Sequence, residues 1–333
     1  MDPTPALLDP RRAAEIAARF AGARVVVLGD LMVDRFLWGS VSRISPEAPV
    51  PVVRVERESA SLGGAGNVAR NVVALGGEAV PVGLHGQDDG GALLSRLFSE
   101  AGIGIQGLLP VAGRPTTIKT RIVAHHQHVV RFDREEDGPI DDGVVQGLKT
   151  RALAALQSAS ALVISDYEKG ALSAELLEGV LPEAARRGLP VVVDPKIRLM
   201  PHYHPVTVIT PNIREAAEAS GTRLRTDADL ETAGRLLLGR LGCPWLLITR
   251  GERGMLLLSA DGTSLTVPTR AREIFDVSGA GDTVVATLAL ALAAGATMPE
   301  AVVLSNLAAG VVVGKLGTAS LTRAELLDAC SLR

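Results

Sequence analysis

The sequence predicts an α/β fold: a mainly parallel central sheet with helices on both faces, plus a small β lid. Three observations carry this. Short apolar runs such as RVVVLGD at 24–30 end at Gly or Asp in the manner of fully buried strands. Segments of helical spacing lie between most of these runs, and such alternation marks a parallel sheet. Two stretches, 36–58 and 116–133, break the alternation with extended patterning and no intervening helix.

Taken in order, residues 1–23 read as an N-terminal extension and 24–333 as the main domain. After the first strand, 67–75 follows a glycine cluster with helical spacing, 79–84 is a short apolar strand and 88–101 a helix. Further strands are expected at 161–165, 190–194, 206–210 and 245–249, with helices at 173–187 and 227–241. The most apolar stretch, 284–296, is closed by Pro299 and Glu300 and is shorter than the roughly 18 residues of a membrane span, so it reads as a buried helix. In the first irregular stretch Pro46, Pro49 and Pro51 interrupt β-type residues. In the second, Ile118, Thr120, Ile122 and Ala124 alternate, followed by Val130 and Phe132. Both are read as lid strands over the sheet.

Composition narrows the function. The chain has 333 residues, enough for a large core without disulfides or a structural metal. Hydrophobic residues make up 47% and charged residues 21%, which excludes a disordered chain. A net charge of −3 argues against binding that depends on nucleic-acid phosphates. Cys243 and Cys330 lie outside any CxxC pattern, so neither a zinc site nor a disulfide framework is expected. Met1 to Pro10 has no secretory pattern, and the expected compartment is the cytoplasm. Only five of the 34 basic residues are lysines (119, 149, 169, 196 and 315), which makes each lysine more informative than usual.

The strongest chemical signal is Asp276-Val-Ser-Gly279-Ala280-Gly281-Asp282-Thr, directly before the apolar helix. Small residues let several backbone N–H groups converge, and the helix N-terminus adds positive potential, together making an anion hole for a phosphate. Asp282 stands beside that phosphate; the alternative is a carboxylate that merely complements the helix dipole. A second signal is Gly63-Gly64-Ala-Gly66-Asn67. It fits the dinucleotide fingerprint GxGxxA formally, but a polar segment precedes it instead of a buried strand, so an NAD enzyme is not expected. A glycine pair admitting a sugar, with Asn67 bonding a hydroxyl, fits better; a tight turn capped by Asn is the plainer account. Asn212 and Glu215, three apart after a strand, either hold hydrated Mg²⁺ near a triphosphate or form an Asn cap with its capping-box Glu. Thr249-Arg-Gly251 follows another strand. No P-loop, HExxH or GxSxG motif occurs, and His125, His126 and His128 read as strand residues near the surface.

Together, GGxGN, NxxE and GAGD resemble the ribokinase-like sugar kinases, and SRISPEAPVPVV (42–53), GGAGNVARN (63–71), TTIKTR (116–121), SDYEKG (165–170) and VDPK (193–196) resemble the heptose 7-phosphate kinases among them. The resemblance covers about Arg24 to Ala329. It implies a ribokinase-like fold and ATP-dependent transfer to the anomeric oxygen of a heptose 7-phosphate, as in ADP-heptose and lipopolysaccharide core synthesis. No HxGH signature is present, so a kinase without an adenylyltransferase domain is expected. The resemblance further implies that Asp282 is the catalytic base and that Gly279, Ala280 and Gly281 form the anion hole. Asp34, Gly63, Gly64, Asn67 and Asp166 would contact the sugar, and Lys119, Arg121, Arg131 and Lys169 its existing phosphate. Lys196, Asn212, Glu215, Thr249, Gly251 and Asn306 would serve ATP, with Glu215 reaching Mg²⁺ through water and Asp276 beside a monovalent cation, K⁺. The lid strands are expected to join two subunits as a homodimer. Alternatives are a kinase of another sugar or nucleoside on the same fold, or a sugar or nucleotide sensor that does no chemistry.

Overall fold

A computed structural model describes residues 8–125, 127–269, 276–315 and 319–331. The chain opens with α1 (Pro10–Ala18), capped by Asp9, and β1 (Arg24–Gly29). β2 (Leu31–Ile44) and β3 (Pro51–Gly64) then leave the main sheet as a hairpin. α2 (Ala65–Ala74), β4 (Glu78–Gly86), α3 (Asp89–Glu100) and β5 (Leu108–Val111) return to it, and β6 (Thr117–Ala124) and β7 (Gln127–Arg134) form a second excursion. There follow α4 (Asp142–Leu156), β8 (Ala161–Ser165), α5 (Ala174–Arg186), β9 (Val191–Asp194), β10 (Val208–Ile209), α6 (Ile213–Ser220), α7 (Asp227–Leu241) and β11 (Trp245–Thr249). β12 (Met255–Ser259), β13 (Ser264–Val267), α8 (Ala280–Ala293), α9 (Met298–Val312) and α10 (Arg323–Ser331) complete the order.

Nine strands make the central sheet in the order β13-β12-β11-β10-β9-β8-β1-β4-β5. All pairs are parallel except β11–β12 and β12–β13, which are antiparallel. Successive residues of β1 show why both faces are covered. Val25 and Val27 enter one core cluster with α1, α2, α8 and α9, while Val26 and Leu28 enter the other with α4, α5 and α7. The α/β architecture is therefore the expected one. The apolar stretch read as 284–296 begins earlier, as α8, because Gly279 takes the left-handed conformation that lets the helix start at Ala280. α7 matches its expected bounds because a Thr226–Asp229 capping box starts it and left-handed Gly242 stops it. The expected strand 206–210 shortens to two residues, although the Thr207 and Thr210 amides still bond to Val191 and Val193. The segment read as an extension packs Ala13, Ile16, Ala17 and Phe20, all fully buried, into the main core. Among the described residues no helix is long and apolar enough to cross a membrane.

The lid is a separate four-stranded sheet, β3-β2-β6-β7, with β2 and β6 parallel. Its register sorts residues by face. Asp34, Lys119 and Asp133 lie in one row across β2, β6 and β7, and Phe36, Arg121 and Arg131 lie in the next row on that face. Leu37, Ile122 and Val130 make a row on the opposite face. That outer face remains open: Val55, Val130 and Phe132 are 44%, 47% and 52% exposed.

Candidate active site

In a parallel α/β sheet, ligands meet the carboxyl ends of the strands. Here those ends are rich in acid. Asp30 follows β1, Asp166 follows β8 and Asp194 ends β9, while α8 packs against β8 and β9 and brings Asp282 to the same place.

Asp282 is 4% exposed and held from both sides. Its Oδ1 accepts the Tyr167 hydroxyl at 2.7 Å, and its Oδ2 accepts the Asn67 amide at 2.6 Å. Arg70 donates to Asn67 Oδ1 at 2.7 Å, and Thr283 donates to Asn71 at 3.1 Å, so α2 and α8 are tied together beside the carboxylate. Burial pushes the Asp282 carboxyl up to about 6; Asp34 adds to this, while the Asn67 and Tyr167 bonds and the Arg70 charge oppose it. A carboxylate at a helix N-terminus would ordinarily be a weaker base, but here desolvation outweighs the helix field.

On the lid side, Arg121 donates to Asp34 at 2.5 Å and lies 5.3 Å from the centre of the Phe36 ring. Gly63 is what leaves room for that acid, since a Cβ there would stand 2.5 Å from Asp34 Oδ2. Gly64 ends β3 and serves as the N-cap of α2. Lys119 bridges Asp133 and Glu135 at 3.2 and 3.1 Å, Lys169 reaches Glu135 at 2.9 Å, and Arg131 reaches Asp133 at 2.9 Å. Partial burial acts to raise both carboxyls, but their cationic partners hold Asp133 and Glu135 below the usual range. Of the four cations singled out, three thus share one network and Arg121 is turned to Asp34. Asp166 is engaged elsewhere, accepting from Tyr203 at 2.5 Å and from the Glu168 amide at 2.8 Å, and burial with nearby Asp30 pushes it up to about 6.

On the other side of Asp282 two cavities adjoin, sharing Thr249, Gly281 and Val284. One, of about 190 Å³, is polar and is lined by Tyr167, Asp194, Lys196, Asn212 and Glu215. The other, of about 180 Å³, is more apolar and takes in Gly251, Met255, Val277, Asn306 and Val313. Asn212 and Glu215 form the capping box of α6, at 2.9 and 3.0 Å, so the plainer of the two alternatives for this pair is realised. Glu215 also pairs with Lys196, whose ammonium lies 5.9 Å from the Tyr167 ring centre. Burial pushes Asp194 up to about 8, against the pull of Lys196. Asn306 donates to the Pro268 carbonyl at 2.8 Å. In the glycine turn the Ala280 amide donates to the Val277 carbonyl at 3.2 Å. The Asp276 carboxylate accepts from the Ser278 amide at 2.8 Å, closing the same turn. Among the described residues no three His, Cys, Asp or Glu side chains converge as a metal cage. One or two protein oxygens, completed by water and phosphate, is nevertheless the ordinary way of holding Mg²⁺, and Glu215, on the wall of the polar cavity, stands where it could reach the ion through water. A hollow of about 610 Å³ opens at the opposite strand ends, by Arg24 and Glu78, and contains none of the expected residues.

Sequence reading missed Tyr167, Arg70 and Asp30. Asp30 accepts the amides of Tyr167, Lys169 and Ala171 at 2.8, 3.1 and 2.9 Å, and so shapes the loop that carries Tyr167. A signal for Tyr167 was available: the chain has two tyrosines, and both donate to acids of the site. His126 lies outside the described residues; His125 and His128 are exposed.

Residues 23–324 match the profile of the pfkB family carbohydrate kinases. The bifunctional protein HldE of Rhodospirillum rubrum is 46% identical over 99% of this chain and 65% of its own length. That of Caulobacter vibrioides is 49% identical over 96% of this chain and 65% of its own. The chain thus spans 65% of the length of these curated relatives. Among solved structures, Arabidopsis thaliana ribokinase complexed with ribose and ATP aligns with a TM-score of 0.74 at 19% identity, covering 93% of this chain and 99% of that one. Escherichia coli phosphofructokinase-2 in complex with potassium aligns at 0.77 and 20% identity, covering 93% and 98%. At these identities the two structures share its ribokinase-like fold.

Proposed function

The chain belongs to the pfkB family of carbohydrate kinases, and from that premise we propose that it transfers the γ-phosphoryl group of ATP to the anomeric O1 of D-glycero-β-D-manno-heptose 7-phosphate. The observation that carries the reading is the position of Asp282, a buried carboxylate at a helix N-terminus between two cavities on one side and a cationic lid on the other. Likeness to the HldE proteins over nearly the whole chain supports the choice of sugar.

In this reading the adenosine lies in the more apolar cavity by Gly251 and Asn306, and the triphosphate runs past Thr249 and Lys196. The γ-phosphate reaches the amides of Gly279 and Gly281, where the helix potential offsets charge that spreads over its oxygens. Mg²⁺, when bound, neutralises part of the triphosphate charge, with Glu215 reaching it through water. Asp276 is the acid proposed to lie beside a monovalent cation, K⁺. Asp34, Asn67 and the glycine pair orient the sugar, and Asp282 takes the O1 proton. A carboxyl near 6 is ionised at neutral pH yet basic enough to accept a proton late in a largely dissociative transfer. Lys119, Lys169 and Arg131 receive the 7-phosphate, exchanging Asp133 and Glu135 for it. The lid excludes water from the transfer. Its open outer face, with Val55, Val130 and Phe132, is proposed to meet the same face of a second subunit across a two-fold axis.

ADP release measured on a panel of sugars and sugar phosphates, followed by phosphorus NMR of the product, tests the reading. The expected result is turnover of the heptose 7-phosphate with a new signal for an anomeric phosphate. Equal activity on unphosphorylated sugars, preference for a nucleoside, or no turnover at all overturns it.

A further inference from the structure

We infer that Tyr167 is a positioning residue for Asp282, holding Oδ1 throughout the transfer so that Oδ2 is the atom that accepts the proton. The inference rests on the reading of Asp282 as the base. The two oxygens of Asp282 have unlike partners. Tyr167, on Oδ1, stands on the nucleotide side and lines the polar cavity. Its backbone is fixed by the buried Asp30 carboxylate, which also accepts from Lys169 and Ala171, and the Lys196 ammonium lies against its ring. Asn67, on Oδ2, sits at the first turn of α2 next to the glycine pair that flanks Asp34, the side from which a sugar arrives. Arg70 fixes the Asn67 carbonyl oxygen, and the Asn67 amide has a second N–H besides the one on Oδ2, which can meet a sugar hydroxyl without releasing Asp282.

The step balances simply. The acceptor O–H bond gives its proton to Oδ2 as the acceptor oxygen bonds to the γ-phosphorus; the bond from that phosphorus to the β–γ bridging oxygen breaks, and ADP leaves with the electron pair. Tyr167 does not ionise in this step, because burial and the facing acids push its phenol well up. It therefore remains a donor, and a donor to the ionised carboxylate makes Asp282 less basic. The other groups facing Asp282 are Asp34 from β2, Arg70 from α2 and Asp194 from β9, with Lys196 on the far side of the Tyr167 ring.

Tyr167→Phe isolates the hydroxyl, since the ring under Lys196 is kept. We expect kcat to fall about tenfold, the sugar KM to change less than about threefold, and the acid limb of the kcat profile to move up by about one pH unit, the scale of one charge-assisted hydrogen bond. Carbon-13 NMR of labelled aspartate, following the Asp282 carboxyl directly, should show the same upward shift. Tyr203→Phe, which removes a donor to Asp166 instead, should leave the Asp282 midpoint in place. An unmoved Asp282 midpoint in Tyr167→Phe, or an equal shift in Tyr203→Phe, overturns the inference. Because the titration needs no substrate, that outcome is distinguishable from failure of the kinase reading, which shows as absent turnover in the unaltered protein.

Discussion

At the sheet ends Asp282 is held by two dedicated, buried donors; at the base of the lid each acid serves two cations, one of which, Lys169, comes from the loop after β8. Asp282 is 4% exposed between Asn67 and Tyr167, whereas Glu135 is shared by Lys119 and Lys169, and Asp133 by Lys119 and Arg131. Dedicated buried donors fix one atom in place, which is what a reacting group needs. A shared and partly hydrated network can change partners cheaply, because its cations remain paired when phosphate replaces carboxylate. In the proposed reading, chemistry falls to the sheet ends, and recognition to the lid together with the β8 loop that carries Lys169.

The comparison breaks most readily at Asp282. Asp282→Asn keeps the shape and removes the proposed base, and kcat should fall by about a hundredfold or more while nucleotide affinity, read by calorimetry, changes little. A loss of nucleotide binding equal to the loss of rate would mean that the two regions are not separable. In the cation network, Lys119→Ala on the lid or Lys169→Ala on the β8 loop should raise the KM for the phosphorylated sugar by about 10- to 100-fold, the scale of a charged hydrogen bond, with kcat within a few-fold of normal. Steady-state kinetics would contradict the division if kcat fell instead. Val130→Glu places a charge on the outer lid face; sedimentation at micromolar concentration should show a dimer for the unaltered chain and weakened association for the variant, with a few-fold rise in sugar KM. A fully active monomer removes the dimer.

The smallest expected effect concerns stability. Burial raises the folded Asp282 carboxyl from 3.8 to about 6, so the folded state favours the protonated form. The stability this group contributes is fully present below about pH 4 and is lost as pH rises through 6. At neutral pH the buried charge is therefore a burden, and Asp282→Asn should melt a few degrees higher there. The gap should close as pH falls from 6 towards 4, which thermal scans at several pH values would show.

Much of this could be read along the chain, and what could not has a common cause. Strands 161–165 and 245–249 and helix α7 stood out because apolar runs and caps are local signals. β5, the β12–β13 hairpin and α9 did not, because short edge strands and an all-round apolar helix lack a clear period. The glycine turns announced Asp282 and Asn67. Arg70 was silent and Tyr167 offered only its rarity, because nothing near them in sequence says what they touch; Asn67, Tyr167 and Asp282 meet only through the topology. The capping box at Asn212 and Glu215 shows the converse, a motif whose local geometry is satisfied whatever else it does.

β2 runs unbroken from the sheet rim to the outer tip of the lid, and this makes it a lever. With 14 residues at roughly 3.3 Å each, it extends about 45 Å. Its buried end spans Leu31 to Asp34; were it to pivot at Leu31, Asp34 would ride on a short arm and Ile44 at the end of an arm about four times longer. A shift of about 2 Å at the tip thus becomes about half an ångström at Asp34, reduced further where the strand is bulged between Trp38 and Gly39 and between Val41 and Arg43. Such gearing would turn a coarse movement at the surface into a fine adjustment at Asp34.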